Sequence, residues 1–381
     1  MAIKISVEEE IIEPIENEQD DYYSDDDLYN INSWGADLSF RELVQMYKDG
    51  DLLKPELQRN YVWDKTEASR FIDSILLGLP VPSIFLAKTH EEKMLIVDGY
   101  QRIMTIYDYM EQKIFRTDGK VFKLTNSKKI NARWRGNAFD ELSDTEQRKI
   151  RNTTIHCIIF VQIKPKDGDT SMYQVFERIN TSGRTLMPQE IRNCVYQGNF
   201  NILLIELNKE KFWRKLYGLT NADSRMRDIE FILRFFAISA KKWDLKSTGT
   251  ISLKKYLNEF MGSKESSTSE ILNSRKDIFL STMKFIYDHF GETAFQNISS
   301  KDPTKFAGKF NPTIFDSFTT ATRIVLEKNN KISTNKLNEK QMKLLQNEEF
   351  QDLVRFRTTN EDRIAKRVSM ALKILYGLDY E

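Results

Sequence analysis

Histidine and cysteine are nearly missing from this chain, with three of the first and two of the second among 381 residues. Cys157 and Cys194 lie far apart, and neither belongs to a Cys-x-x-Cys pair. That excludes a structural zinc site of the usual spacing and points to two buried, reduced thiols. His90, His156 and His289 are isolated, so the sequence offers no His-Glu-x-x-His motif and no convincing catalytic triad. His156, set in an apolar run, reads as a satisfied structural residue. A Gly-x-x-x-x-Gly-Lys-Ser/Thr phosphate loop is also lacking. No apolar run approaches the roughly 18 residues that a membrane span requires. The N-terminus is acidic, unlike a secretory leader or a transit peptide. The expected location is the cytoplasm.

Aromatic residues are plentiful. The 24 Phe and 15 Tyr are more apolar rings than a disordered chain carries. With 40% hydrophobic residues, the chain is long enough for a large core in two domains or one extended domain. The net charge of +1 hides an asymmetry. Residues 1–30 hold eleven acids and one base, a charge of −10, while the remainder holds 56 bases and 45 acids, a charge of +11. A basic body suits polyanionic partners, although the excess is modest. The acidic segment reads either as a solubilising tail or as a mask over a basic groove.

Periodicity divides the chain into residues 1–34, a disordered acidic tail, then 35–200 and 201–381. Order is expected to start near Leu38. Ser39 and Glu42 have capping-box spacing, as do Asp64 and Glu67, and Gly50 and Gly78 stop the helices that follow. Pro80 and Pro82 forbid helix. Residues 83–87 and 94–97 read as strands, and Ile103, Ile106, Tyr107 and Met110 as one helical face. Residues 116–127 suggest a small hairpin around Asp118-Gly119. Ile155–Ile163 reads as a strand and Ser171–Ile179 as a helix, and Pro188 suits a helical first turn. Residues 201–381 read as mainly helical, with a polar linker over 262–269.

Three constellations carry candidate chemistry. The first is Asp98-Gly99-Tyr100-Gln101-Arg102, where a strand passes into a helix. The first amides of a helix lack intrahelical partners and carry partial positive charge, which suits phosphate. Gly99 lets a ligand approach the backbone, and Arg102 adds a planar fork of donors. Asp98 either orients Arg102 or holds a magnesium ion that bridges phosphates. The plainer alternative is a tight turn with Asp98 as helix cap and Arg102 on the surface. The second constellation is Gln58-Arg59-Asn60-Tyr61-Val62-Trp63, with Gln58 and Arg59 offered to a ligand or Arg59 in a structural ion pair. The third runs from Phe176 to Arg184, where Arg178, Asn180 and Arg184 suit a phosphate or a base edge, or else form an ordinary polar turn.

In this order and spacing, the three constellations resemble one family. The chain is similar to the N-terminal domain of GmrSD-type, modification-dependent restriction systems, in the ParB/sulfiredoxin-like superfamily. Gln58-Arg59-Asn60-Tyr61-Val62-Trp63, Ile96-Val97-Asp98-Gly99-Tyr100-Gln101-Arg102 and Phe176-Glu177-Arg178-Ile179-Asn180 carry the likeness, with Gly183, Leu186, Gln189, Glu190 and Ile191. It covers about 37–200, with weaker echoes at Met226 to Arg234 and Lys309 to Phe315.

The resemblance implies an α+β fold: a mixed α/β nucleotide-binding core followed by a mainly helical C-terminal region. It also implies nucleoside triphosphate hydrolysis in defence against phage DNA. Asp98, Gln101 and Arg102 would be catalytic, and Gln58, Arg59, Gly99, Tyr100, Arg178, Asn180 and Arg184 would bind nucleotide. Magnesium would accompany the triphosphate, and no zinc is expected. Two departures stand out. Tyr100 replaces the usual Gln, so its ring either stacks on a base or marks altered hydrolysis. Residues 200–381 show no His-centred nuclease motif, so DNA cutting calls for a partner chain or an unfamiliar site in this one. The competing readings are a DNA sensor without turnover and, ranked last, a nuclease. Oligomeric state stays open.

Overall fold

The structure is a computed structural model that describes residues 11–15, 31–54, 63–89, 91–115, 119–162, 170–179, 186–196, 198–263, 268–328 and 334–380. The chain divides into two compact units. One comprises Asp26–Leu186 with Asn193–Val195, and the other Met1–Asp25, Met187–Arg192 and Tyr196–Glu381. The divide runs through one helix, Pro188–Val195.

The first unit is built in the order Ile31–Ser39 (β1), Phe40–Asp49 (α1), Leu52–Leu53 (β2), Lys65–Leu77 (α2), Ile84–Lys88 (β3), Met94–Asp98 (β4), Tyr100–Met110 (α3), Asp144–Asn152 (α4), Thr154–Gln162 (β5) and Thr170–Ile179 (α5); Pro188–Val195 is α6. Its helix ends follow local chemistry. Ser39, Asp64 and Ser143 each accept from the amide three residues on, and Glu42, Glu67 and Glu146 each reach back to the cap amide. Gly50 and Gly78 close α1 and α2 in the left-handed conformation.

The strands form one mixed sheet in the order β1-β5-β3-β4-β2. β1 and β5 are antiparallel, β5 and β3 parallel, β3 and β4 antiparallel, and β4 and β2 parallel. Its buried residues, such as Ile84, Leu86, Ile96 and Ile159, join Phe40, Phe71, Ile103 and Ile106 of the helices in one core. Each such side chain contributes roughly 1.5–3 kcal/mol through the water it leaves. Asp73 of α2 pins the segment after α3: its carboxylate accepts from the Trp134 indole at 2.7 Å and the Asn131 amide at 3.0 Å.

The described residues correct several expectations. Ile31–Ser39 is a strand although its first residues fall within the stretch assigned to the tail, because β1 is an edge strand held by backbone pairing with β5 and shows mostly exposed side chains. Residues 11–15 also have a fixed place: the Glu13 amide donates to the Phe310 carbonyl at 2.8 Å and the Phe310 amide to the Ile11 carbonyl at 2.7 Å. The hairpin expected around Asp118-Gly119 is small: Ile114 bridges Val121 antiparallel, the Phe115 amide donates to the Lys120 carbonyl at 2.7 Å and the Phe122 amide to the Lys113 carbonyl at 3.0 Å, while Asp118 lies outside the described residues. His156 faces outward, because β5 alternates, and its ring pairs with Asp37 across the sheet at 2.8 Å. Cys157 and Cys194 are both buried and unbridged, and burial pushes the Cys157 thiol up to about 11.

The second unit is mainly helical: Asn199–Leu207 (α7), Lys211–Tyr217 (α8), Arg227–Ala240 (α9), Leu253–Gly262 (α10), Ser269–Phe290 (α11), Pro312–Glu327 (α12), Leu337–Leu345 (α13), Glu348–Arg355 (α14) and Glu361–Ala371 (α15). A π-helical turn, Leu372–Tyr376, continues α15. The helical expectation omitted a small antiparallel pair, Gln296–Ile298 (β6) with Phe306–Phe310 (β7). Aromatic packing dominates this core; Phe231 meets Phe310 at 4.6 Å between ring centroids, and Phe295 meets Phe315 edge-on at 4.9 Å.

Buried charges tie the helices together. Arg234 of α9 donates to both carboxylate oxygens of Asp316 of α12, at 3.2 and 2.5 Å. Arg367 of α15 stands 3.8 Å from the same carboxylate and donates to the Thr358 carbonyl at 2.6 Å. All three charged side chains are buried. Asp228 is another such hub and accepts from Arg214, Asn208 and the Asp223 amide. Among the described residues, no helix is long and apolar enough to cross a membrane.

Candidate functional site

The sheet itself produces the corner at Asp98. β3 and β4 pair Leu86 with Ile96 but Phe85 with Asp98, a register shift that ends the ladder at Asp98. Gly99 then turns the chain with φ 98° and ψ 6°. A Cβ at this position would lie 2.3 Å from Ile84 Cγ2. Glycine is therefore required twice, for its backbone angles and for close approach of β3. The space beside Gly99 that was reserved for a ligand is filled by Ile84.

α3 starts without a side-chain cap, whereas α1, α2 and α4 each have a capping box. Its first intrahelical bond runs from the Ile103 amide to the Gly99 carbonyl at 3.0 Å, so the amides of residues 100–102 precede the ladder. The helix N-terminus thus offers positive potential, and its cap residue, Gly99, has no side chain to neutralise it.

Arg102 is partly buried, with 16% of its side chain exposed. Both Nη1 hydrogens are used, one on the Pro82 carbonyl at 2.9 Å and one on the Ser83 carbonyl at 2.6 Å. Nη2 donates to Asp98 Oδ2 at 2.9 Å. These bonds occupy three of the five N–H groups of a guanidinium. Arg102 clamps the proline-bearing loop and Asp98 together. Asp98 is the more open partner, at 41% exposure, and its second oxygen is not used by Arg102.

Gln101 reaches toward the second constellation: its Oε1 accepts from the Trp63 amide at 3.4 Å. Trp63 packs edge-on against Phe71 at 5.6 Å. Gln58 and Arg59 lie outside the described residues. Tyr100 is a correction. Only 8% of it is exposed and it belongs to the core cluster, because the first turn of α3 packs inward here. Its ring is not available to stack on a base.

In the third constellation, Phe176 is fully buried and Arg178 lies on the exposed side of α5. Asn180 and Arg184 lie outside the described residues. The described part of the site is Asp98, Gly99, Gln101 and Arg102 with the Trp63 backbone, and Asp98 pairs with Arg102. Gln174, also on α5, is buried with neither amide atom partnered, a demand that water or a ligand has to meet. Sequence reading missed Pro82, Ser83 and Ile84 as parts of the corner. The only signal was the Pro-x-Pro spacing, which holds that loop extended.

A lone half-open carboxylate fits magnesium that keeps most of its waters and phosphate ligands, as this ion usually does. Among the described residues, no cluster of three His, Cys, Asp or Glu side chains is placed to cage a metal. Residues 40–197 match the GmrSD restriction endonuclease N-terminal domain. The match spans 158 of the 381 residues, from the start of α1 to just beyond α6. No curated protein matches the chain. The matched segment contains all three constellations, and the Asp98–Arg102 pair lies in its first half.

Proposed function

We propose that the chain is a cytoplasmic component of a phage-defence system of the restriction type, and that its GmrSD-type segment binds and hydrolyses a nucleoside triphosphate at the β4–α3 junction. We assign that segment to the ParB/sulfiredoxin-like class on the strength of the family match. The observation that carries the reading is the uncapped start of α3 beside the Asp98–Arg102 pair. Phosphate oxygens would meet the first amides of α3 and the remaining N–H groups of Arg102. Asp98 would hold magnesium or the attacking water through its open oxygen. Gln101, fixed at the Trp63 amide, would position that water.

DNA is the proposed trigger, since the body of the chain is basic, and cutting would fall to a separate nuclease subunit. A second reading follows from the Arg102 clamp. If that guanidinium serves mainly to hold its loop, the segment is a DNA-responsive binding module without turnover.

Phosphate release from ATP, GTP, CTP and UTP, with and without DNA, separates the two. At least one nucleotide should be turned over, and Arg102→Ala should lower the rate roughly 100-fold, the usual effect of losing one transition-state donor. Circular dichroism should show the variant folded. No turnover of any nucleotide under any of these conditions would overturn the hydrolytic reading and leave the binding module.

A further inference from the structure

The register of the sheet sets four residues in one row across four strands. Asp98 of β4 stands opposite Phe85 of β3, Phe85 beside Ile158 of β5, and Ile158 opposite Gly35 of β1. Side chains alternate along a strand, and residues paired across strands share a face. The flanking residues Ile84, Leu86, Cys157 and Ile159 point the other way and belong to the core cluster. The row therefore lies on the face away from that core, with Phe85 and Ile158 half-buried and the Asp98 carboxylate open. Adjacent strands stand about 4.8 Å apart, so the row runs about 14 Å from Asp98 to Gly35. An extended nucleotide covers that distance.

A polar pair closes the far end. His156 lies two residues before Ile158 on the same face, and its Nδ1 meets Asp37 Oδ1 at 2.8 Å. A carboxylate accepts, so Nδ1 carries the proton, and the neutral ring keeps a lone pair on Nε2. The ring lies over Gly35, where a Cβ would stand 2.7 Å from Cε1 and 3.1 Å from Nε2. Gly35 is in mid-strand, so its missing side chain makes room for the ring rather than for a turn. The side chains of His156 and Asp37 are 52% and 69% exposed. A pair this open contributes little to stability, yet the imidazole is both oriented and given space.

We propose that this row receives the base of a nucleotide whose phosphates sit at the start of α3. The base would lie on Phe85 and Ile158, and His156 Nε2 would accept from its exocyclic amino group. That selects adenine or cytosine over guanine, hypoxanthine or uracil, which place a carbonyl there and leave the lone pair unmet. Phe85 thus supplies the ring that the buried Tyr100 cannot. This base site rests on the phosphate-binding reading of the β4–α3 junction.

Calorimetric titration of the full chain separates the two sites, in mildly alkaline buffer, where an imidazole is neutral. The ligands, each with magnesium, are inorganic triphosphate and non-hydrolysable analogues of ATP, ITP, CTP and UTP. Triphosphate alone should bind. ATP over ITP, and CTP over UTP, should show a preference of about tenfold or more, in line with one hydrogen bond gained against one left unpaired. His156→Ala should erase that preference, and Phe85→Leu should weaken all four nucleotides about tenfold through lost stacking. Neither substitution should change the affinity for triphosphate, which also shows the variants to be folded. Equal binding of amino and carbonyl bases, a preference that survives His156→Ala, or nucleotide affinities unmoved by Phe85→Leu would overturn the base site and leave the phosphate site standing. No binding of triphosphate or of any nucleotide would overturn both.

Discussion

Gly99→Ala should destabilise the first unit by about 2–6 kcal/mol and abolish nucleotide turnover. The estimate joins two costs. A left-handed backbone at a non-glycine residue costs roughly 1–3 kcal/mol, and forcing a methyl group into a packed site costs roughly 1–3 kcal/mol more. The methyl group would sit 2.3 Å from Ile84 Cγ2 and 2.8 Å from Ile84 Cβ, atoms of a fully buried side chain that has nowhere to retreat. Denaturant unfolding measures the loss. The cause is separable, because Ile84→Ala should cost less in the Gly99→Ala background than in the native chain, with a coupling of about 1 kcal/mol or more. Additive costs would show that the clash with β3 is not the source. A fully stable, fully active Gly99→Ala variant would contradict the geometry of the corner.

A second large effect is expected in the helical unit. Arg234→Ala should destabilise the second unit by about 3–5 kcal/mol, the usual result of stripping one partner from a buried ion pair. Against a total stability of roughly 5–15 kcal/mol this is a large fraction. The variant would leave the Asp316 carboxylate, 1% exposed, with its guanidinium fork gone and Arg367 at 3.8 Å as the nearest remaining base. Arg234→Met combined with Asp316→Leu should cost less than Arg234→Ala alone, because it removes both members of the pair and keeps the volume. Thermal unfolding would reveal the order. If the double variant were the less stable, the pair would be contributing net stability.

What could be read from the sequence was local. The spacings Ser39–Glu42 and Asp64–Glu67, and the stops at Gly50 and Gly78, act within one helical turn, so the residues themselves announce them. The strand Met94–Asp98 and the turn at Gly99 were legible for the same reason. Features that depend on distant partners were not. β1 gave no apolar alternation, because as an edge strand it is held by backbone bonds to β5. The roles of Gly99 and Arg102 depend on Ile84, Pro82 and Ser83, which are 15 to 20 residues upstream. Tyr100 was read as a departure from the motif and is core, since the inward face of α3 begins three residues before Ile103, where the apolar periodicity placed it. The burial of Arg234 becomes visible only when α9 and α12 are brought together.

The idea that the start of α3 grips phosphate is tested most directly by watching its amides. Full-length chain labelled for NMR would be titrated with magnesium and non-hydrolysable analogues of the four nucleoside triphosphates. The account predicts saturable shifts at the amides of residues 99–102 with at least one analogue, and weakening of that binding by about tenfold or more in Arg102→Ala. Amides that stay put under all four analogues, or an affinity unchanged by the substitution, would contradict it.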